Sequence, residues 1–197
     1  MSTPESDALD EADMERLAGG QDAALNALMA RHAGSLYGFL CRFVGDQETA
    51  NDLAQETFVR VYQHRADFKP GQRFSTWLFT IGANLARNHL RSRSRRPEVS
   101  LESMAMDDGP SVADRLPAGG DAPDEAALRQ EQQRAVRRAV ADLPEDLREA
   151  IVLCELEDRS VAEVAGILAT TAKAIESRLY RARQQLRARL SRWFKNS

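Results

Sequence analysis

Residues 160–183 read SVAEVAGILATTAKAIESRLYRAR. Ser160 and Glu163 have the spacing of a capping box, which predicts that a short helix begins here and spans residues 161–168. A short turn follows, and the Thr171 hydroxyl can cap a longer helix after it. A short helix, a tight turn and a longer helix form a helix-turn-helix, the arrangement in which the second helix can lie in the major groove of DNA.

The second helix of this pair is strongly basic, since residues 172–197 hold eight basic residues and one acidic residue. Its outward side chains form one stripe with two more cations beside it: Arg178, Arg181, Gln185 and Arg192, then Lys173 and Arg183. Arginines on such a stripe can contact phosphates while the first turn of the helix meets base edges. Helical hairpins with no role in DNA binding share this pattern, so the stretch alone leaves the function open.

The rest of the chain also has helical periodicity. Apolar residues recur at helical spacing over residues 23–44, in a second helix that Asp46 can cap, and in a third that Ser75 can cap. No run alternates with period two, so no sheet is predicted. The predicted fold class is all-α, with two small helical domains joined by a flexible acidic linker and the helix-turn-helix in the second domain. The predicted boundaries are an acidic N-terminal segment at 1–20, a first domain at 21–96, the linker at 97–123 and a second domain at 124–197.

The charges are unevenly distributed along the chain. The 197 residues include 27 basic and 30 acidic side chains, a net charge of −3, which alone argues against a protein that binds nucleic acid unaided. Residues 87–96 hold five bases and no acid, whereas residues 97–131 hold nine acids and two bases. With the basic C-terminal helix, this makes two basic patches separated by an acidic stretch. Such blocks indicate anion-binding surfaces joined by a solvated connector, and ordinary solvated helix faces are the alternative.

The first basic patch follows an aromatic stretch. Residues 73–78 read RFSTWL, and polar or basic residues then recur at three- and four-residue steps: Asn84, Arg87, Asn88, Arg91 and Arg95. Aromatic rings beside a basic helix face suit single-stranded or melted DNA, because unstacked bases can lie on the rings while arginines hold the backbone. The alternative is that Phe74 and Trp77 are core residues at the start of the helix.

An acidic helix face precedes this patch, at residues 52–58, which read DLAQETF. Leu53, Ala54 and Phe58 have the spacing of a buried stripe. The residues that point to another face are Asp52, Gln55, Glu56 and Val59. An acidic face beside two basic surfaces fits a basic protein partner through charge complementarity, and a solvated face is again the alternative.

Several classes of protein are disfavoured. Cys41 and Cys154 stand far apart, which indicates a reducing cytoplasm and no disulfide scaffold. The longest apolar-rich stretch is too short to span a bilayer and the N-terminal residues lack a signal-peptide pattern, so neither membrane insertion nor secretion is expected. His32, His64 and His89 lack metal-ligand spacing, and the sequence has no phosphate-binding glycine loop or nucleophile elbow. We therefore expect no enzyme, no metal and no cofactor.

Six short motifs occur in one order along the chain: RHAGSLY at 31–37, DLAQETF at 52–58, RFSTWL at 73–78, NLARNHLR at 84–91, LPE at 143–145 and SRLYRAR at 177–183. With these motifs the chain resembles bacterial RNA polymerase sigma factors of the small extracytoplasmic-function (ECF) group. The resemblance covers about residues 23–96 and 127–190. It implies that the first domain corresponds to sigma region two, which melts promoter DNA, and the second domain to region four.

The resemblance also implies a role for each surface. The surface for core RNA polymerase, which would dock on the clamp of the beta-prime subunit, holds Asp52, Leu53, Gln55, Glu56 and Val59. The reader of the −10 promoter element holds Arg73, Phe74, Ser75, Trp77, Asn84, Arg87, Asn88 and Arg91. The reader of the −35 element holds Thr171, Lys173, Glu176, Ser177, Arg178, Arg181 and Arg183. Further implied partners are the beta flap of the polymerase, promoter DNA and an anti-sigma factor.

Three positions depart from the family pattern. Ala169 stands where a turn glycine is common, Thr170 where an apolar residue is common, and Glu176 where a basic residue is common. A carboxylate at Glu176 cannot contact phosphate favourably, but it can accept a hydrogen bond from a cytosine amino group. These departures leave the −35 specificity open, but they do not change the predicted fold.

Two functions remain open on the sequence. The first is a dissociable promoter-specificity subunit that binds core polymerase, recruits it to the −35 element and captures melted −10 bases, two weak sites gaining affinity because they are tethered. The second is a free-standing helix-turn-helix regulator that binds duplex DNA without polymerase. In that second hypothesis the acidic face at residues 52–58 and the stripe over residues 73–91 have no role. Tight duplex binding by the isolated protein would favour the regulator.

Overall fold

The computed structural model describes residues 4–95 and 123–191, and all regular structure within them is helical. The helices are α1 (Pro4–Ala18), α2 (Ala24–Val44), α3 (Gln47–Gln63), α4 (Phe74–Arg95), α5 (Pro123–Ala141), α6 (Glu145–Ile151), α7 (Val161–Ile167) and α8 (Ala172–Leu190). A 3₁₀ turn (Arg65–Asp67) follows α3, and a π-helical turn (Val152–Leu156) continues α6. The predicted all-α class is confirmed. Residues 97–122 of the predicted linker, and Arg192, lie outside the described residues.

Helices α1–α4 form the first domain. Gly45, in the left-handed region at φ +80°, ends α2. The Asp46 carboxylate then caps α3 by accepting a hydrogen bond from the Thr49 amide (2.7 Å), as the sequence predicts. The inner faces of α2 and α4 meet at buried aromatic rings, with the ring centroids of Phe39 and Phe79 5.6 Å apart.

Helix α4 approaches its neighbours closely at Gly82. A Cβ atom at this position would lie 2.9 Å from Leu36 Cδ1 and 3.5 Å from Thr57 Oγ1. The Thr57 hydroxyl is satisfied within its own helix, because it donates to the carbonyl oxygen of Leu53 (2.6 Å). The small residue therefore sets α4 against α2 and α3, and the opposite face of α4 is turned outward.

The sequence analysis does not anticipate helix α1, which packs on α2 and α4. Met14 and Leu17 are 1% and 0% exposed in the core of the first domain. Two buried carboxylates accompany them: Arg31 of α2 donates to Asp10 (2.8 Å) and to Asp13 (2.6 Å). The helix is amphipathic only when these acids count as inward residues, which their common arginine partner permits.

Helices α5–α8 form the second domain, in which α7 and α8 make the predicted helix-turn-helix. The capping box is observed: Ser160 Oγ accepts from the Glu163 amide (3.2 Å) and the Glu163 carboxylate accepts from the Ser160 amide (3.0 Å). Val164, Ile175 and Leu179 are buried where α7 meets α8. Their burial fixes the angle between the two helices.

The turn between α7 and α8 is a Schellman motif. The Thr170 amide donates to the Ala165 carbonyl oxygen (2.9 Å), and Ala169 takes the left-handed conformation at φ +49°. This conformation is unfavourable for a residue with a Cβ atom, which is why glycine is favoured there. Thr171 caps α8 as predicted, with its hydroxyl accepting from the Ala174 amide (3.2 Å).

The two domains pack on each other. Helix α4 contacts α7, and α2 contacts α5, α6 and the π-helical turn. The buried apolar residues of both domains form one continuous cluster. The described residues thus show two helical domains in a closed arrangement, and this arrangement decides which of the predicted surfaces are open.

Candidate nucleic-acid interface

The predicted −10 surface lies on α4 and on the loop before it. Four of its residues share one outward face of the helix: Asn84, Arg87, Asn88 and Arg91. Arg87 is half-buried and the other three are exposed. The structure therefore brings these four side chains together as the spacing predicts.

Arg73 lies just before α4, beside carboxylates of two other elements. Its Nε atom is 3.1 Å from Asp7 Oδ2 of α1, and its Nη1 atom is 2.7 Å from Glu163 Oε1 of α7. Partial burial opposes ionisation of Glu163, but hydrogen bonds from Ser160 and from Arg73 hold its pKa below the ordinary value. An anionic ligand of Arg73 must displace these two carboxylates.

Arg87 faces a carboxyl of the second domain. Glu149 of α6 is 2% exposed, and its Oε1 atom is 3.6 Å from Arg87 Nε. Burial raises the pKa of Glu149 to about 7, although Arg87 opposes the shift. Arg87 also donates to Asn84. The second domain therefore supplies a carboxyl to each of two arginines predicted to hold DNA.

The aromatic part of the predicted −10 surface lies mainly inside the domain. Phe74 and Ser75 are 1% and 0% exposed, and the half-buried Trp77 ring is 5.4 Å from the ring of Phe68. The core alternative is thus the observed one for Phe74. The prediction that Ser75 caps α4 is wrong, because the helix already begins at Phe74, with the Trp77 amide donating to the Arg73 carbonyl oxygen (3.2 Å).

Further polar contacts join the two domains. Glu157, which follows the π-helical turn, accepts hydrogen bonds from Ser35 (2.7 Å) and Arg42 (2.5 Å) of α2. Burial raises the pKa of Glu157 as well, against the effect of these two partners. The guanidinium of Arg159 lies 3.7 Å from the centroid of the Phe79 ring. A contact with this many charged groups resembles interfaces that open and close.

The predicted −35 surface begins at the first turns of α8. Lys173, Glu176 and Ser177 are exposed there, while the hydroxyl of Thr171 is engaged as the cap. The sequence analysis missed Tyr180, which has 68% of its area exposed on the same helix. Tyr180 stands between Arg178 and Arg181 in the SRLYRAR motif, and this position could have indicated it. An open helix start with polar side chains can enter a groove of DNA.

The three arginines further along α8 face carboxylates of their own domain. Arg178 Nε and Arg181 Nη2 lie 3.8 and 4.0 Å from Asp146 Oδ2. Arg183 pairs with Glu155. Both carboxylates are exposed, and exposed ion pairs are weak, so a phosphate group can compete with them.

The predicted polymerase-binding surface lies on α3. Four of its residues are exposed: Asp52, Gln55, Glu56 and Val59. Leu53 is only 9% exposed and lies on the core side of the helix. Glu56 accepts a hydrogen bond from Arg60 (2.9 Å), and Val59 is 47% exposed. A helix face on which an apolar side chain is exposed among acidic ones can dock a partner.

Sequence reasoning missed the acidic partners of the cations on α4. The available signal is the position of Glu149, which lies between Leu147 and Ala150 on the buried side of a short helix. A carboxyl at an inward position implies a partner, because an isolated buried charge is very costly. The spacing does not say which cation that partner is.

Two of the histidines each pair with a single aspartate. His32 Nε2 lies 2.8 Å from Asp10 Oδ2, and His64 Nδ1 lies 3.0 Å from Asp67 Oδ2. Within residues 4–95 and 123–191, no group of three or more His, Cys, Asp or Glu residues is placed to hold a metal ion. Across the same described ranges, no helix combines the length and the apolar character that crossing a membrane needs.

Comparison with protein families matches residues 28–96 to sigma-70 region 2 and residues 133–186 to sigma-70 region 4. The chain is 33% identical to the RNA polymerase sigma-H factor of Pseudomonas aeruginosa over 176 residues, which cover 88% of this chain and 89% of that protein. It is also 33% identical to the ECF RNA polymerase sigma-E factor of Haemophilus influenzae over 181 residues, or 90% and 93% of the two chains.

A solved structure is similar over most of its length. It is the sigma factor RpoE of Bartonella quintana in complex with the anti-sigma factor NepR, with a TM-score of 0.67 and 25% identity, covering 84% of this chain and 96% of that one. Both matched regions follow the order of the motifs in the sequence. The chain therefore belongs to the sigma-70 family of RNA polymerase sigma factors, which are transcription initiation factors, and within it to the ECF group.

Proposed function

We propose that this sigma factor recruits core RNA polymerase to promoters, reads the −35 element with α8 and captures melted −10 DNA with α4 and the loop before it. The observation that supports this most directly is the presence of two cationic helix faces on two domains of one chain. One lies on the domain that matches region 2 and the other on the domain that matches region 4. A regulator of duplex DNA alone has no use for the first.

For the −35 element, we propose contacts from the first turns of α8 and from its arginines. The residues are Thr171, Lys173, Glu176, Ser177, Arg178, Arg181 and Arg183. The exposed side chains of the first turns would meet base edges, where Glu176 can accept a hydrogen bond from cytosine. The arginines would leave their exposed carboxylate partners for phosphates.

For the −10 element, we propose direct contacts from the outward side chains of the −10 surface: Arg73, Trp77, Asn84, Arg87, Asn88 and Arg91. Trp77, which is half-buried, would stack on an unpaired base. Phe74 and Ser75 would support this surface from within, since both are buried at the start of α4, directly after the loop.

For core polymerase, we propose that the exposed face of α3 docks on the basic clamp of the beta-prime subunit. Asp52, Gln55 and Glu56 would supply the polar contacts and Val59 the apolar one, while Leu53 holds the helix in the core. The beta flap would receive the second domain. The protein would act in the cytoplasm with the polymerase. An anti-sigma factor is a further proposed partner, supported by the complex of the Bartonella quintana relative.

This function requires the closed arrangement to open. In the closed arrangement Glu163 of the second domain competes with a phosphate for Arg73, and Arg87 faces the buried Glu149. The face of α3 is exposed in the closed arrangement, so polymerase can bind first. When polymerase holds the second domain on the −35 element, that domain would separate from α4.

The deciding experiment is transcription by core RNA polymerase with and without the purified chain, followed by sequencing of the transcripts. We expect start sites that depend on the chain and share sequence upstream. A chain that directs initiation at no site contradicts the proposal.

The docking surface is tested with Asp52→Arg combined with Glu56→Arg, which should abolish association with core polymerase and leave the helical circular dichroism unchanged. Glu15→Arg with Asp22→Arg, two exposed carboxylates outside α3, is the matched control.

The DNA surface of α8 is tested by the salt dependence of binding to duplex promoter DNA. Arg178→Ala and Arg181→Ala should each lower the slope of log affinity against log salt by about one unit, since each removes one phosphate contact. An unchanged slope would contradict these contacts. A gel shift with the same duplex DNA and no polymerase tests the regulator hypothesis, which predicts tight binding by the isolated chain.

A further inference from the structure

We propose that helix α1 sets the conformation of the loop that precedes α4, with Glu11 as a positioning residue for capture of melted −10 DNA. The loop spans residues 68–73, between the 3₁₀ turn and the start of α4. The proposal rests on the proposed function for the ligand of this loop. The contact between α1 and the loop stands on the structure itself. Glu11 lies outside residues 28–96, which match the region 2 family model.

The loop contains one tight turn with an unused amide. The Gln72 amide donates to the Lys69 carbonyl oxygen (3.1 Å), and Gly71 lies at φ +77° after Pro70. Proline followed by glycine at positive φ is the pattern of a type II turn. The turn leaves the Gly71 amide without a partner of its own, and Glu11 Oε1 accepts from it (2.8 Å). A carboxylate of α1 thus completes the hydrogen bonding of the turn from outside.

A second contact ties α1 to the start of α4. Asp10, one residue before Glu11, is 1% exposed, and its Oδ2 atom lies 2.8 Å from His32 Nε2. The His32 ring is in turn 5.1 Å, centroid to centroid, from the ring of Phe74, the first residue of α4. The buried His32 therefore connects α1 to Phe74, the residue that follows the loop.

The same face of α1 carries these contacts over successive turns. Asp7, which pairs with Arg73 of the loop (3.1 Å), precedes Asp10 and Glu11 by three and four residues, the spacing of one helix face. Met14 continues that face into the core. Acidic side chains over the loop and an apolar anchor below it make α1 a clamp on the loop rather than a solvated acidic segment.

The test uses three variants of the full chain with core polymerase. Glu11→Ala removes the acceptor, Glu11→Gln keeps an acceptor oxygen without the charge, and Glu15→Ala removes an exposed carboxylate from the same helix as the matched control. Two quantities are measured. One is hydrogen exchange of the amides of the loop in the free chain, and the other is permanganate reactivity of the melted thymines on a promoter mapped with the unaltered chain.

We expect Glu11→Ala to speed exchange in the loop and to lower the melted fraction about fivefold, the effect of one lost hydrogen bond. Duplex binding by α8 and association with polymerase should stay unchanged. Glu11→Gln should recover most of both quantities, and Glu15→Ala should match the unaltered chain. Recovery by Gln separates positioning through the hydrogen bond from a general effect of removing a negative charge.

Either of two results overturns the proposal. Unchanged exchange in Glu11→Ala means that α1 does not hold the loop, and faster exchange with unchanged melting means that the held conformation does not matter for DNA. If the unaltered chain directs no initiation, the proposed function and the DNA part of this proposal both fail. The exchange measurement still decides independently whether Glu11 holds the turn.

Discussion

The two DNA-reading surfaces proposed for this sigma factor differ in what covers them. Arg87 of α4 and Arg73 just before it face carboxyls of the second domain, Glu149 and Glu163, and Glu149 is 2% exposed. The arginines of α8 face carboxylates of their own domain that remain exposed, such as Asp146. Buried and inter-domain partners can be removed only by moving a domain, whereas exposed local partners yield to a competing phosphate. The arginines of the proposed −35 surface thus have partners that a phosphate can replace, whereas Arg73 and Arg87 of the proposed −10 surface are paired across the domain boundary.

The largest change in this contrast should come from Glu157→Lys. The Glu157 side chain is 6% exposed and holds Ser35 and Arg42 across the domain boundary, so a lysine there places two cations together in a poorly hydrated contact. We expect the closed arrangement to lose on the order of 4 kcal/mol and to open. Small-angle scattering should show a larger radius of gyration.

The charge-swapped pair is the control for this variant. Arg42→Glu combined with Glu157→Lys restores opposite charges across the same contact and should restore much of the closed population. A scattering profile of Glu157→Lys that matches the unaltered chain would show that this contact does not hold the domains.

A smaller effect is expected from pH, through Glu149. Burial raises its pKa to about 7 in the closed arrangement, against an ordinary value of 4.5 in water. The protonated form therefore stabilises closure fully below pH 4.5, and this contribution is lost as the pH rises to 7. The loss amounts to about 3 kcal/mol, at about 1.4 kcal/mol per pKa unit. We expect scattering to show opening as the pH rises from 4.5 to 7.

The variant Glu149→Gln isolates this group from the other charges nearby, which include Arg87, Arg178 and Glu145. A neutral amide of the same shape should keep the chain closed at the upper end of the range and flatten the pH dependence. If the glutamine variant opens with pH as the unaltered chain does, another group controls the transition.

The next effect concerns the turn that orients the open surface. Ala169 takes a left-handed conformation at φ +49°, so Ala169→Gly should raise the free energy of unfolding by about 1 kcal/mol. Thermal unfolding measures the change. Ala162→Gly in α7, a helical position, should move stability in the opposite direction. A lower melting temperature for Ala169→Gly would mean that the alanine methyl group makes a compensating contact.

The smallest effect is expected from Asp146→Asn. Its pairs with Arg178 and Arg181 are 3.8 and 4.0 Å long and exposed, so stability should change by less than about 0.5 kcal/mol. Duplex affinity should rise slightly, because the two arginines no longer exchange a carboxylate for a phosphate. Titration with labelled duplex DNA checks this, and a large loss of stability would show that the second domain needs these pairs for folding.

The local elements were predictable because their signals are short. The capping box of Ser160 and Glu163, and the caps at Asp46 and Thr171, each join atoms no more than three residues apart, so the spacing alone reveals them. The outward faces of α3, α4 and α8 follow from the helical period in the same way. The order of the six motifs along the chain also indicates the family.

Helix α1 and the closed arrangement could not be predicted in this way. Asp10 reads as a solvated acid until Arg31 and His32 of α2 are brought against it. Glu149 and Arg87 belong to different domains, and no spacing rule joins them. Their burial depends on which distant segments meet, because a carboxyl enters the interior only where a cation or a proton accompanies it.

Short-range sequence signals were enough to predict helices α2–α4, α7 and α8, the caps at Asp46, Ser160 and Thr171, and the charged faces, because each depends on neighbours within a turn or two of helix. The tertiary structure was needed to show that α1 contacts the loop before α4 and that carboxyls of the second domain pair with Arg73 and Arg87. These features rest on ion pairs and hydrogen bonds between residues far apart in the chain, whose strength is set by burial and not by spacing.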